Sequence, residues 1–297
     1  MEVVILPVIF NTNEKLIIGN SKHDFKRNFN NKQLILKIVK KLSALHNIFS
    51  LQDIVIYKCS SNPKIHGFIK KSIINNLPST ILNISDSTIL DLLAPQCYDY
   101  AYHIIHHEIC HIQDFETICK YMDGNLVSDN YQAEYNLKAF YFVNGYKFFG
   151  EYIAYRNCFS SYAERSPDYD KLPHKIKTDS TIQRLLNTYD KDFKYRNIMF
   201  SKTMEDINNT IYFLCKQIGY YHASQNKSFI ENLDLTKSEL FICYIDKLNQ
   251  ELDNLYSTYP SWISYEKYIE IGKLFYSIFG EFKIGLCEYG GDICFDF

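Results

Sequence analysis

Residues 101–114 read AYHIIHHEICHIQD, and within them His107-Glu108-Ile109-Cys110-His111 is H-E-x-x-H. At 100° per residue, Tyr102, Ile105, Ile109 and Ile112 fall within one narrow arc, and His107 and His111 lie on nearly the opposite side. One face therefore packs, and the other presents two imidazoles one turn apart. Such a pair suits a single Zn²⁺, while Glu108 is offset enough to reach a water held there. The helix is expected to open at Pro95, where proline suits a first turn, and to run to about Lys120.

Upstream, residues 30–46 place Leu34, Ile35, Ile38, Val39, Leu42 and Leu45 on one face, with Lys37, Lys40 and Lys41 elsewhere. This is an amphipathic helix whose lysines read as a solvated face. Three short β-leaning runs follow, Asp53–Cys59, His66–Lys70 and Ser79–Ser85, split by Pro63 and by Asn75, Asn76 and Pro78. They predict a small, mostly antiparallel sheet ahead of the histidine helix. Downstream, a helical stretch over Tyr131–Tyr162 is expected to be interrupted near Asn144–Gly145. Arg165–Thr181 reads as a connector. Residues 202–224, 236–258 and 264–279 read as helices, with Pro260 between the last two. The fold class is α+β, divided into a core at 1–165 and a helical C-terminal region at 166–297.

Two histidines leave zinc under-coordinated, so a third protein ligand is required, with water in the fourth position. The extended pattern H-E-x-x-H-x-x-G-x-x-H fails, because Asp114 and Thr117 stand at its glycine and third histidine. A carboxylate from another helix remains, either Glu151 in FGEYIAYR or Glu134 in NYQAEYN. Glu151 is preferred, since Gly150 and Ala154 beside it let helices approach closely. Glu134 is the fallback.

These residues resemble the gluzincin group of zincin metallopeptidases, in which H-E-x-x-H on one helix is completed by a later Glu. Glu151-Tyr152-Ile153-Ala154 looks like the E-x-x-A form of that third-ligand motif, and the resemblance covers roughly residues 50–160. It implies a zincin-like core with an active-site helix and a substrate-binding edge strand. It also implies a Zn²⁺ cofactor held by His107, His111 and Glu151. The implied activity is hydrolysis of a peptide or protein substrate through a metal-bound water, with Glu108 as general base. The alternative is a zincin-scaffold binding or regulatory protein without hydrolytic activity, against which the intact Glu108 argues. A wholly structural helical protein with incidental histidines is a further rival.

Other residues carry weaker readings. Tyr155 and the Tyr220–Tyr221–His222 cluster are oxyanion-donor candidates, with packing as their default role. Asp114 is either an acceptor that orients an imidazole or an exposed helix carboxylate. A His103/His107 clamp would waste Glu108. His106 lies nearer the packing stripe and reads as a core or boundary residue. Arg156 reads equally as a structural ion pair or as a partner for an acid near the site. Cys110 and His111, as helix neighbours about 100° apart, are badly placed for a thiol–imidazole dyad.

Composition narrows the remaining classes. With 46% hydrophobic residues in 297, a full core is available. Lys+Arg of 32 against Asp+Glu of 34 leaves a net charge of -2, without the positive field of a nucleic-acid binder. Nine cysteines without a CxxC pair read as reduced, buried thiols. The opening MEVVILPVIF lacks a basic n-region and reads as a first strand, not a signal peptide. The apolar stretch Ala139–Phe159 carries Asn144, Lys147, Glu151 and Arg156, so no membrane span is expected and a cytoplasmic protein is. G-x-x-x-x-G-K-[ST], G-x-G-x-x-G and G-x-S-x-G are all absent, which removes support for nucleotide-dependent and serine-hydrolase chemistry.

Overall fold

The computed structural model describes residues 8–11, 16–18, 21–23, 29–57, 66–132, 136–161, 193–224 and 239–296. The chain divides into two compact units, Met1–Tyr131 with Ser160–Ala163, and Gln132–Phe159 with Glu164–Phe297.

In the first unit, β1 (Val8–Asn11), α1 (Phe29–His46) and β4 (Leu51–Tyr57) form a parallel crossover, and a separate two-stranded ribbon joins β2 (Leu16–Ile18) to β3 (Ser21–His23). β5 (Gly67–Ile74) and β6 (Leu77–Ser85) are the arms of a hairpin. Its turn residues Asn75 and Asn76 have φ of 51° and 64°, the left-handed pair that asparagine tolerates. The sheet order is β1-β4-β6-β5. β4 pairs parallel with both β1 and β6, and β5 is the antiparallel edge. The sheet is thus mixed, which corrects the mostly antiparallel expectation. β5 runs outside its hairpin partner, so β6 returns beside β4 in the same direction.

Ser85 ends β6 and caps α2 (Asp86–Leu93), its hydroxyl accepting from the Thr88 amide at 3.2 Å. α3 (Tyr98–Ile118) follows after a turn. Pro95 therefore lies between two helices and does not open the second, and α2 is a helix that the run of residues 86–93 had not suggested. Ile35, Ile38, Val39 and Leu42 of α1, Ile54 and Ile56 of β4, Leu82 and Ile84 of β6, and Ala101, Ile105, Ile109 and Ile112 of α3 make one apolar core. At roughly 1.5–3 kcal/mol per fully buried aliphatic side chain, this core is what holds α3 in place. Lys37, Lys40 and Lys41 are exposed, as a solvated face requires.

The second unit contains α4 (Leu137–Asn157), α5 (Phe193–Ser224), α6 (Glu239–Thr258), α7 (Tyr265–Tyr276) and α8 (Ile278–Glu281). α4 is continuous through Asn144–Gly145, where an interruption was expected. Gly145 is a point of close approach: an added Cβ would lie 2.0 Å from the Tyr268 carbonyl oxygen, and one on Gly272 would lie 2.0 Å from that of Tyr141. The two glycines let α4 and α7 cross backbone to backbone. Gly219 of α5 packs similarly against Tyr152 and Tyr155. α4 thus groups with the C-terminal helices, and the division differs from the expected 1–165 and 166–297. That region is also not purely helical: β7 (Gly285–Tyr289) and β8 (Asp292–Asp296) form a terminal hairpin. Gly290 and Gly291 at φ 61° and 86° turn it. The expected connector at Arg165–Thr181 lies outside the described residues. No helix among the described residues is long and apolar enough to cross a membrane.

Candidate metal centre

α3 carries the candidate site, and its packing follows the predicted period. Ile105, Ile109 and Ile112 are fully buried. The opposite face is not open surface either: His107 and Glu108 are buried, and His111 is half-buried. The Nε2 atoms of His107 and His111 stand 3.0 Å apart with their rings at 89°. Two nitrogens at about 2.0–2.1 Å from one ion, set at a tetrahedral angle, stand about 3.3 Å apart. The pair therefore fits a common zinc ion, and a borderline-soft cation suits two imidazoles.

Glu108, which follows His107 in sequence, lies next to the sheet edge. A Cβ on Gly67, the first residue of β5, would come within 3.1 Å of Glu108 Cγ and 3.3 Å of Ile104 Cγ2. The absent side chain lets the edge strand pass tightly beside that carboxylate. Asp114 is buried, which sets aside its reading as an exposed carboxylate. His103 is buried too, and its Nδ1 stands 3.0 Å from the Ser161 hydroxyl.

Glu151 belongs to the second unit. It is half-buried on α4 and acts electrostatically on Tyr155 and Cys215. Burial first, then Tyr212, then Glu151 raise the Tyr155 phenol well above its ordinary range. The ligand set expected from the sequence thus draws two residues from one unit and one from the other. The fallback, Glu134, lies outside the described residues. Comparison with protein families, with curated proteins and with solved structures gives no match.

Of the tyrosine candidates, Tyr155 and Tyr220 are buried, while Tyr221 lines a cavity with His222. The Tyr155 hydroxyl is 3.0 Å from that of Tyr212, and the buried Tyr220 ring lies 5.4 Å from Tyr155. Tyr152 contacts His222 Nδ1 at 2.8 Å and accepts from Arg156. Arg156 also pairs with Asp253 at 2.7 Å and lies 3.7 Å above the Tyr256 ring, a structural arrangement within the second unit.

His106, read as a core or boundary residue, is almost fully buried, but its ring is engaged: its Nε2 lies 2.7 Å from His46 Nε2. Burial, with His46, His107 and Lys41 adding to it, lowers His106 to about 4. The Cys110 sulfur is 3.8 Å from His46 Nε2, so its imidazole neighbour is His46 and not the adjacent His111. Burial above all, then Glu108 and Asp114, raises its thiol pKa. The cysteines also depart from the uniformly buried expectation. Cys110, Cys158 and Cys215 are buried, Cys243 is exposed, the other described ones are intermediate, and Cys59 lies outside the described residues. His46 had no sequence signal. It ends α1 and meets α3 only through the fold.

Proposed function

We propose that the chain is a zinc-dependent metallopeptidase of the gluzincin kind, acting on a peptide or protein. The observation that carries this reading is the pairing of His107 and His111 one turn apart on buried α3, with Glu108 of the same helix against the edge of the sheet. His107 and His111 supply two ligands, and Glu151, in its E-x-x-A context, supplies the third. When bound, zinc acts as a Lewis acid that polarises the scissile carbonyl and lowers the pKa of water. Glu108 takes a proton from the attacking water as its oxygen bonds to the carbonyl carbon. It then delivers that proton to the amine as the C–N bond breaks. β5 is the edge strand of the sheet; its Lys71 is bonded on the outer side to Asp129, and an extended substrate segment would add antiparallel at the Gly67 end, beside Glu108.

The test uses the full chain with a mixture of unstructured peptides, scored by mass spectrometry for new termini. Glu108→Gln is expected to lower cleavage by about 10²–10⁴-fold while keeping zinc. His107→Ala and His111→Ala are expected to lose the ion, and Glu151→Gln to weaken its hold. Peptide maps that are identical for wild type and Glu108→Gln would overturn the enzyme reading. A binding module on the same scaffold would show zinc without new termini.

A further inference from the structure

We propose that His46, His106 and Cys110 form a second metal site in the first unit, for Zn²⁺ or a similarly thiophilic ion, separate from the His107–His111 pair. One ligand atom from each of the three side chains lies within 4.8 Å of the others. The His46 and His106 Nε2 atoms are 2.7 Å apart, and the Cys110 sulfur is 3.8 Å from His46 Nε2. Zinc–nitrogen bonds of about 2.0–2.1 Å and zinc–sulfur bonds of about 2.3 Å give tetrahedron edges of about 3.3 and 3.6 Å. A small spreading of the two rings brings the set to that shape. Imidazole and thiolate are donors that zinc takes, and three of them leave a fourth position for water.

The surroundings fit a ligand role. His46 Nδ1 lies 2.9 Å from Gln113 Oε1, an acceptor that places the ring proton on Nδ1 and leaves the Nε2 lone pair facing the cluster. Glu108 and Asp114 bear electrostatically on Cys110, which favours a cation there, against the opposing charge of Lys41 near His106. His106 and Cys110 are i and i+4 on α3, as are His107 and His111. The two pairs are offset by one residue, or 100°, so they open onto different faces of the same helix. His46 comes from the last turn of α1. An ion here would tie the end of α1 to the helix that carries Glu108, a link that does not depend on hydrolysis.

The probe is cobalt(II) added to the metal-stripped full chain. The proposal expects a near-ultraviolet thiolate-to-cobalt charge-transfer band, which a site of histidines and a carboxylate does not produce. The band should vanish in Cys110→Ser and in His46→Ala, and persist in His107→Ala and His111→Ala. His46 is half-buried at a helix end, so its variant should keep wild-type far-ultraviolet circular dichroism even where Cys110→Ser perturbs packing. No band in the folded wild type at saturating cobalt, or a band that survives either Cys110→Ser or His46→Ala, overturns the proposal. Loss of peptide cleavage in Glu108→Gln bears only on the first site, so the two proposals fail separately.

Discussion

Glu108 and His222 show how the setting of one side chain decides its chemistry. Glu108 is a buried carboxylate one residue after His107, and the proposed proton transfer would run through it. His222 has a structural setting: it contacts the Tyr152 hydroxyl at 2.8 Å, and burial lowers its pKa, opposed by Asp253 at 3.9 Å. The folded-state pKa of His222 thus lies below the unfolded value near 6.5. As pH falls below that value the unfolded chain takes up the proton first, so the stability contribution is complete above about pH 6.5 and is lost on acidification. Denaturant midpoints measured at about pH 7.5 and about pH 5.5 should fall more for wild type than for His222→Gln. Equal falls would show that His222 does not contribute.

Helices in the second unit meet where side chains are missing. Gly145 and Gly272 each face a backbone carbonyl at a distance no Cβ could occupy, so α4 and α7 depend on both. Gly145→Ala forces the helices apart and should cost about 3 kcal/mol or more by equilibrium unfolding, at the upper end for overpacking. Gly280, in α8, has nothing within 4 Å of an added Cβ, and Gly280→Ala should be neutral or stabilise by up to about 1 kcal/mol. Similar effects at the two positions would contradict the close crossing. The glycine at 145 was visible in the sequence and suggested a break, because propensity alone treats glycine as a helix weakener. Packing reversed that reading, since closeness to α7 is what the residue allows.

For the whole chain, ion binding is coupled to folding stability. An ion that binds only the folded chain stabilises it by about 4 kcal/mol at a thousandfold excess over Kd. Thermal unfolding of the metal-stripped chain should therefore shift upward with added zinc, and less in His111→Ala. If the midpoint is unchanged across a zinc titration, neither proposed centre binds zinc in the folded state. The mixed sheet also matters at this scale, because the hairpin puts β5 at the edge with Gly67 beside Glu108 and Lys71 bonded to Asp129.

Local pattern alone determined α1, the three strands around residues 51–85, the packing stripe of α3, and the face carrying His107, Glu108 and His111. Each depends on residues within a turn or two of one another, where the 3.6 and 2.0 periods act directly. Only tertiary structure decided the strand order, the membership of α4 in the second unit, and the meeting of His46 with His106 across 60 positions of chain. Those outcomes depend on which faces pack after the chain has crossed over, and no short window of sequence contains both partners.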